Sequence, residues 1–260
     1  MPKIITEDMI EQAAIKALQE QHDYTILNCM TENPDTLPDG TGRTDKKHVV
    51  LPDVMFESLC RINPDIPTET VRSVVDDLCH TPVSGDLMLT NFHNYQKIRN
   101  GITVEYNQNG RKTSNILRLI AYDDARKNSF IVASQMWIRG ETHWRRPDLI
   151  IFINGFPMVF IELKNSNIPV KNAYDINLKN YLKDIPYLFN YNQICVLSNG
   201  METRLGSFAA GYEFYFEWLK VESEKENPDR KAIRENCTSL EYFIAGLCEP
   251  KNLLDYIENF

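Results

Sequence analysis

Apolar residues recur along this chain in two rhythms, and the places where the rhythm changes mark out the elements. Ile10, Ala13, Ala14, Ala17 and Leu18 follow helical spacing behind Thr6, which predicts an N-capped first helix followed by a short strand over 24–28. The polar stretch 31–47, with Pro34, Pro38, Gly40 and Gly42, reads as a loop. Helical segments are predicted near 49–62, 67–79 and 86–99, the last closed by Asn100-Gly101 as a left-handed cap would close it. About 48–100 therefore reads as a helical insertion. Strands are predicted at 102–106, 116–122 and 130–137, with Asn109-Gly110 as the first turn. A helix near 171–183 leads to an apolar strand over 193–197 and a Ser198-Asn199-Gly200 turn. Beyond it, Phe214, Phe216 and Trp218 alternate as a further strand, 222–230 is a charged loop, and two short helices fill about 236–260.

The most apolar stretch has two runs around Asn154-Gly155, and between Asp148 and Lys164 the only other charge is Glu162. Ile, Val and Phe on consecutive positions predict a β-hairpin buried on both faces. Burying Asp148, Glu162 and Lys164 there costs several kcal/mol per unpaired charge, so the three must satisfy one another or hold an ion. Glu162 and Lys164 lie two apart on one strand and point to the same face. Whether Asp148 joins them depends on register. A regular two-residue turn would pair Asp148 with Ile161 and send it to the opposite face. A three-residue loop over 153–155, pairing Asp148 with Phe160, or a β-bulge before Glu162 restores the parity. One of those two devices is expected.

This residue set suits phosphodiester hydrolysis. The substrate is an anion, and activating the attacking water makes more negative charge, so the site needs positive charge and a deprotonated water together. Two carboxylates holding Mg²⁺ supply both, hard oxygen ligands select that ion, and the Leu163 carbonyl is a plausible extra ligand. The acid-x-Lys pattern alone is weak: Asp45 with Lys47, Asp229 with Lys231 and Glu249 with Lys251 repeat it in polar surroundings and read as solvated charge. For Asp148, Glu162 and Lys164 the competing reading is a buried ion pair at a sheet end.

A chain of 260 residues with 43% apolar content can bury one large core, or one core and a lobe. It has no apolar run long enough for a membrane span and no signal-peptide pattern, so a soluble cytoplasmic protein is expected. Cys29, Cys60, Cys79, Cys195, Cys237 and Cys248 show no close pairing and read as reduced core thiols, and no Cys-x-x-Cys zinc pattern occurs. The net charge of −8 is unlike a DNA-binding module. Any affinity for phosphate must come from a local patch such as Arg145, Arg146 and Lys171.

The string Arg146-Pro-Asp148, Asn154-Gly155, Glu162-Leu-Lys164-Asn165, Ile185-Pro-Tyr-Leu-Phe189 and Ser198-Asn-Gly200 resembles the N-terminal nuclease domain of the R subunit of type I restriction enzymes, in the PD-(D/E)xK superfamily. Thr6-Glu7 with Glu11 and Tyr24, Asn128-Ser-Phe130 with Gln135, and the segment 253–260 extend the likeness over most of the chain, most thinly over 30–100. The resemblance implies a restriction-endonuclease-like α/β fold, a mixed central sheet flanked by helices with a helical insertion, in a single nuclease domain over 1–260. It also implies that Asp148 and Glu162 bind metal, that Lys164 completes the motif and that Glu11 approaches from the first helix. The family usually carries a glutamine four residues before a tyrosine on the next helix. Here Asn177 precedes Tyr181, with the same amide and one methylene less reach.

The implied activity is Mg²⁺-dependent cleavage of double-stranded DNA. No phosphate-binding Gly-x-x-x-x-Gly-Lys-Ser/Thr loop occurs, so ATP would act through a motor domain following this one, and S-adenosylmethionine through methyltransferase and specificity subunits. Two other classes fit the same fold: a stand-alone repair or junction nuclease, and a catalytically silent DNA-contact module.

Overall fold

A computed structural model describes residues 5–80, 85–108, 110–221 and 238–259. Its first helix, α1 (Glu7–His22), is capped by the Thr6 hydroxyl, which accepts from the Met9 N–H, as the sequence predicts. After β1 (Thr25–Asn28) come α2 (Pro52–Ile62), α3 (Thr68–Cys79) and α4 (Leu87–Asn100). Gly101, at φ 78°, closes α4 with its N–H on the Lys97 carbonyl. A separate two-stranded ribbon, β2 (Ile102–Gln108) with β3 (Arg111–Leu117), follows the helices.

The remaining strands are β4 (Phe130–Ser134), a small pair β5 (Ile138–Arg139) and β6 (Trp144–Arg145), β7 (Leu149–Ile153), β8 (Phe156–Leu163), β9 (Ile194–Ser198) and β10 (Thr203–Gly206). Six of the strands form one mixed sheet in the order β1-β4-β7-β8-β9-β10. The β1–β4 and β8–β9 pairs are parallel, while β4–β7, β7–β8 and β9–β10 are antiparallel. Every residue of β7, β8 and β9 is buried, because apolar layers cover both sheet faces. One layer joins Leu149, Ile151, Ile153 and Ile161 to α1, α2, α3 and the C-terminal helices α6 (Ser239–Leu247) and α7 (Pro250–Asn259). The other joins Ile150, Phe152 and Phe160 to the segment 170–189. The expected mixed sheet flanked by helices is the fold observed.

Two predicted strands are not formed. The strand over 116–122 ends at Leu117, because side-chain amides replace its ladder partners. Asn63 accepts from the Arg118 N–H and donates to its carbonyl, and Asn128 does the same for Ala121. The strand over 214–218 shrinks to a single bridge, Phe216 to Leu205 of β10, because Tyr212–Phe214 coil into a 3₁₀ turn just before it. Phe214 and Phe216 stay exposed there. The helix near 171–183 forms, but its middle, Ala173–Leu178, is π-helical before α5 (Lys179–Asp184). Asn109 and the charged stretch 222–230 lie outside the described residues.

Candidate active site

The hairpin sets the site. Asn154 and Gly155 take φ of 51° and 84°, a two-residue turn with both central residues left-handed, so the three-residue loop is not formed. Ile153 pairs with Phe156 and Phe152 with Pro157, but Ile151 then pairs with Val159, and Met158 is the extra residue. This is the expected β-bulge. Met158 and Val159 both enter the layer that holds Ile151 and Ile161. The alternation is thereby reset, and the last pair, Leu149 with Ile161, leaves Asp148 and Glu162 opposite each other one step further on. Asp148 Oδ2 accepts the Leu163 N–H across the strands at 2.7 Å.

The carboxylates sit where water does not reach: Asp148 is 7% and Glu162 2% exposed. Burial, reinforced for each by a neighbouring acid, pushes Asp148 up to about 6 and Glu162 up to about 8. Lys164 Nζ donates to Glu162 Oε1 at 2.8 Å and to the Leu163 carbonyl, and lies 3.7 Å from Glu7 Oε2. Burial lowers the pKa of Lys164, but these acids outweigh burial and hold it protonated. Glu162 Oε2 is buried and accepts no well-formed hydrogen bond among the described residues; the Tyr181 phenol gives its proton to the Arg146 carbonyl but lies close enough to lower the Glu162 pKa. An orphaned carboxylate oxygen in so dry a place is a strong ligand without a partner.

Around this centre the predicted residues divide. Glu11 lies 6% exposed on α1, pushed up to about 7 chiefly by burial, and is joined to Asp148 only through Gln135. Tyr181 packs edge-on against Phe160 and donates to the Arg146 carbonyl at 3.0 Å, its pKa raised by burial and then by the Glu162 charge. Asn177, half-buried on the π-helical turn, makes no side-chain hydrogen bond among the described residues. Arg146 stacks over Trp137 at 4.9 Å, whereas Arg145 is bound to Asp184 and Lys171 to Asp175. Asp45 and Lys47 pair with Arg139 and Glu141 near the surface, as their polar context predicts. The contact of Glu7 with Lys164 and the bridging role of Gln135 were not legible in the sequence, since only the tertiary approach of α1 and β4 to the hairpin reveals them.

Among the described residues no group of three His, Cys, Asp or Glu side chains is arranged to hold a metal ion. The donor set is instead two carboxylates and one peptide carbonyl. All are oxygens, one is orphaned, and the Lys164 ammonium already touches two of the three residues. That set fits a hard divalent cation such as Mg²⁺ and not a soft one.

Residues 4–214 match the family described as type I restriction enzyme R protein N terminus. The chain is 33% identical over 266 residues to the type I restriction enzyme HindI endonuclease subunit of Haemophilus influenzae, covering 99% of this chain and 24% of that protein. It is 28% identical over 273 residues to the putative type I restriction enzyme MjaIXP endonuclease subunit of Methanocaldococcus jannaschii, covering 99% of this chain and 26% of that one. The chain thus spans about a quarter of the length of these curated relatives.

Proposed function

The chain belongs to the type I restriction enzyme R protein N-terminus family, and we propose that it is the Mg²⁺-dependent module that hydrolyses DNA phosphodiester bonds in such an enzyme. The observation that carries this reading is the buried, bulge-aligned pair Asp148 and Glu162 with an unpartnered Glu162 oxygen. A purely structural ion pair gives no reason to keep that oxygen buried and unbonded. Asp148, Glu162 and the Leu163 carbonyl would hold Mg²⁺, which when bound acidifies a water and neutralises charge on the phosphate. Lys164, as an ammonium, orients the attacking water or donates to a phosphate oxygen. Tyr181 lends its phenol to the Glu162 side of the site, and Glu11 stands behind Asp148.

The rest of the enzyme is part of the proposal. An ATP-driven motor beyond this domain would deliver double-stranded DNA, methyltransferase and specificity subunits using S-adenosylmethionine would choose the site, and Arg145, Arg146 and Lys171 would contact the backbone, Arg145 and Lys171 by exchanging their carboxylate partners for phosphate. A cytoplasmic location goes with that role. No described helix is long and apolar enough to cross a membrane.

Asp148→Ala, Glu162→Ala and Lys164→Ala, each made in the assembled enzyme, test the assignment. Each should lower Mg²⁺-dependent cleavage by orders of magnitude while folding and ATP-driven translocation persist, because members of one catalytic unit are not additive. Cleavage at the normal rate by Lys164→Ala would sink it.

A further inference from the structure

We propose that Gln135 is a positioning residue of this site: its side-chain amide ties the Glu11 carboxylate of α1 to the Asp148 carboxylate and so fixes the acid of the first helix beside the metal-binding pair. The inference rests on the metal-site reading above.

Gln135 follows directly after β4 and takes φ 55°, a left-handed backbone disfavoured for any residue with a Cβ. Its backbone N–H still donates to the Asp148 carbonyl at 3.0 Å, so the chain stays in register with the strand that carries the aspartate. Its Nε2 donates to Glu11 Oε2 at 2.5 Å and to Asp148 Oδ1 at 3.4 Å. Both neighbours are carboxylates, which fixes the amide with its nitrogen toward them.

The chemistry of the bridge is specific. Two buried acids repel each other, and a primary amide offers each an N–H without changing the net charge. A lysine would add a positive charge that opposes the cation, and a glutamate would add a third carboxylate to the pair.

α1 has two holds on the site. Its first turn is fixed just beyond Lys164, where Asn165 Oδ1 accepts the Glu7 N–H at 2.8 Å and Ser166 Oγ accepts the Ile5 N–H at 3.0 Å. One turn on, Gln135 is the second hold. Glu7 and Glu11, four apart, share the helix face presented to Lys164 and Gln135 respectively.

The rival account is that Gln135 merely supplies an unusual backbone angle at the end of β4, and glycine separates the two. In the full-length subunit without DNA, Mn²⁺ binding followed by electron paramagnetic resonance and thermal unfolding are compared for wild type, Gln135→Gly and Gln135→Asn. Glycine adopts φ 55° freely, so Gln135→Gly should unfold at or above the wild-type temperature. It should bind Mn²⁺ about tenfold or more weakly, the range for loss of a ligand-orienting contact, and raise the Mg²⁺ needed for half-maximal cleavage by a similar factor. Gln135→Asn, which tolerates the angle and keeps a shorter amide, should fall between, and carries the test if the glycine variant does not fold. Wild-type Mn²⁺ affinity in Gln135→Gly, or in Gln135→Asn should glycine not fold, would overturn the inference while leaving the metal site standing. Glu162→Gln distinguishes the other failure: if it binds Mn²⁺ as wild type does, the metal reading falls, and this inference with it.

Discussion

Buried charge is handled in two opposite ways in this molecule, and individual residues show why. At Asp148 and Glu162 burial prevails and the acids are pushed up. At Asp39, whose side chain is fully buried, burial also pushes upward but is outweighed. Lys46 Nζ at 2.6 Å, the Thr41 hydroxyl and Arg43 Nη2 at 2.7 Å hold it down at about 2. This cluster fastens the 39–48 loop to the strand region, since Arg43 also donates to the Trp137 carbonyl and the Lys46 carbonyl accepts the Arg139 N–H. Asp39 is therefore depressed on folding from an unfolded value near 3.8. Its contribution is complete above that value and lost as pH falls toward 2. The shift corresponds to about 2 kcal/mol. Urea unfolding of wild type and Asp39→Asn between pH 5 and 2 should show the wild type losing about that much more stability. Parallel profiles would show that Asp39 is not ionised in the folded protein. The asparagine variant should also be less stable throughout, because Arg43 and Lys46 would then be buried without an anion.

At the scale of elements, legibility followed how local the signal is. α1, with its cap and its Ala and Leu stripe, α4 with its Gly101 stop, and the doubly buried hairpin all carry their own periodicity and formed as predicted. Asp148, Glu162 and Lys164 were legible because charges stand out in an apolar strand. The bulge followed from requiring those charges to share a face, but its position at Met158 did not, since it depends on packing and on a neighbouring connection. The Met158 carbonyl accepts from Gln193 N–H and from Asn192 Nδ2, both beside β9. The failed strands over 116–122 and 214–218 were lost to side-chain amides and to a 3₁₀ turn at 212–214, which alternation alone does not reveal.

The hairpin turn held a further surprise, for Asn154 is fully buried rather than at a surface tip. Its Oδ1 accepts the Ser129 N–H at 2.8 Å, and its Nδ2 donates to the Leu119 carbonyl at 2.9 Å and to Asn128 Oδ1 at 2.8 Å, so one amide joins the hairpin to β4 and to the 119–128 connection. Asn154→Ala should destabilise the fold by about 2–4 kcal/mol, because several buried groups lose their partner at once. Asn154→Gly, which takes φ 51° without strain, should recover only the backbone part, roughly 1 kcal/mol. Chemical denaturation of the two variants measures both. A loss under about 0.5 kcal/mol in Asn154→Ala would mean that water replaces the amide, a result typical of an exposed turn.

For the whole molecule the governing quantity is charge. The chain carries a net −8, yet the proposed substrate is a polyanion. Folding does little to resolve the conflict, because most of the cations near the site are already engaged by the chain's own acids. Arg145 holds Asp184, Lys171 and Lys179 share Asp175 at 2.8 Å each, and Lys164 holds Glu162. A module built this way gains little from counterion release, and among the described residues no basic helix is presented for reading base edges. On the proposed reading, that acidity suits a module that cleaves only DNA delivered to it. The isolated 260-residue chain should therefore bind duplex DNA with a Kd no tighter than about 10 µM near physiological salt, with a shallow salt dependence and little sequence preference. The full-length subunit should bind far more tightly under the same conditions. Titration of labelled duplexes at several salt concentrations decides it. Sequence-specific nanomolar binding by this chain alone would show that recognition resides here, and the division of labour between a delivering motor and a passive cutter would have to be abandoned.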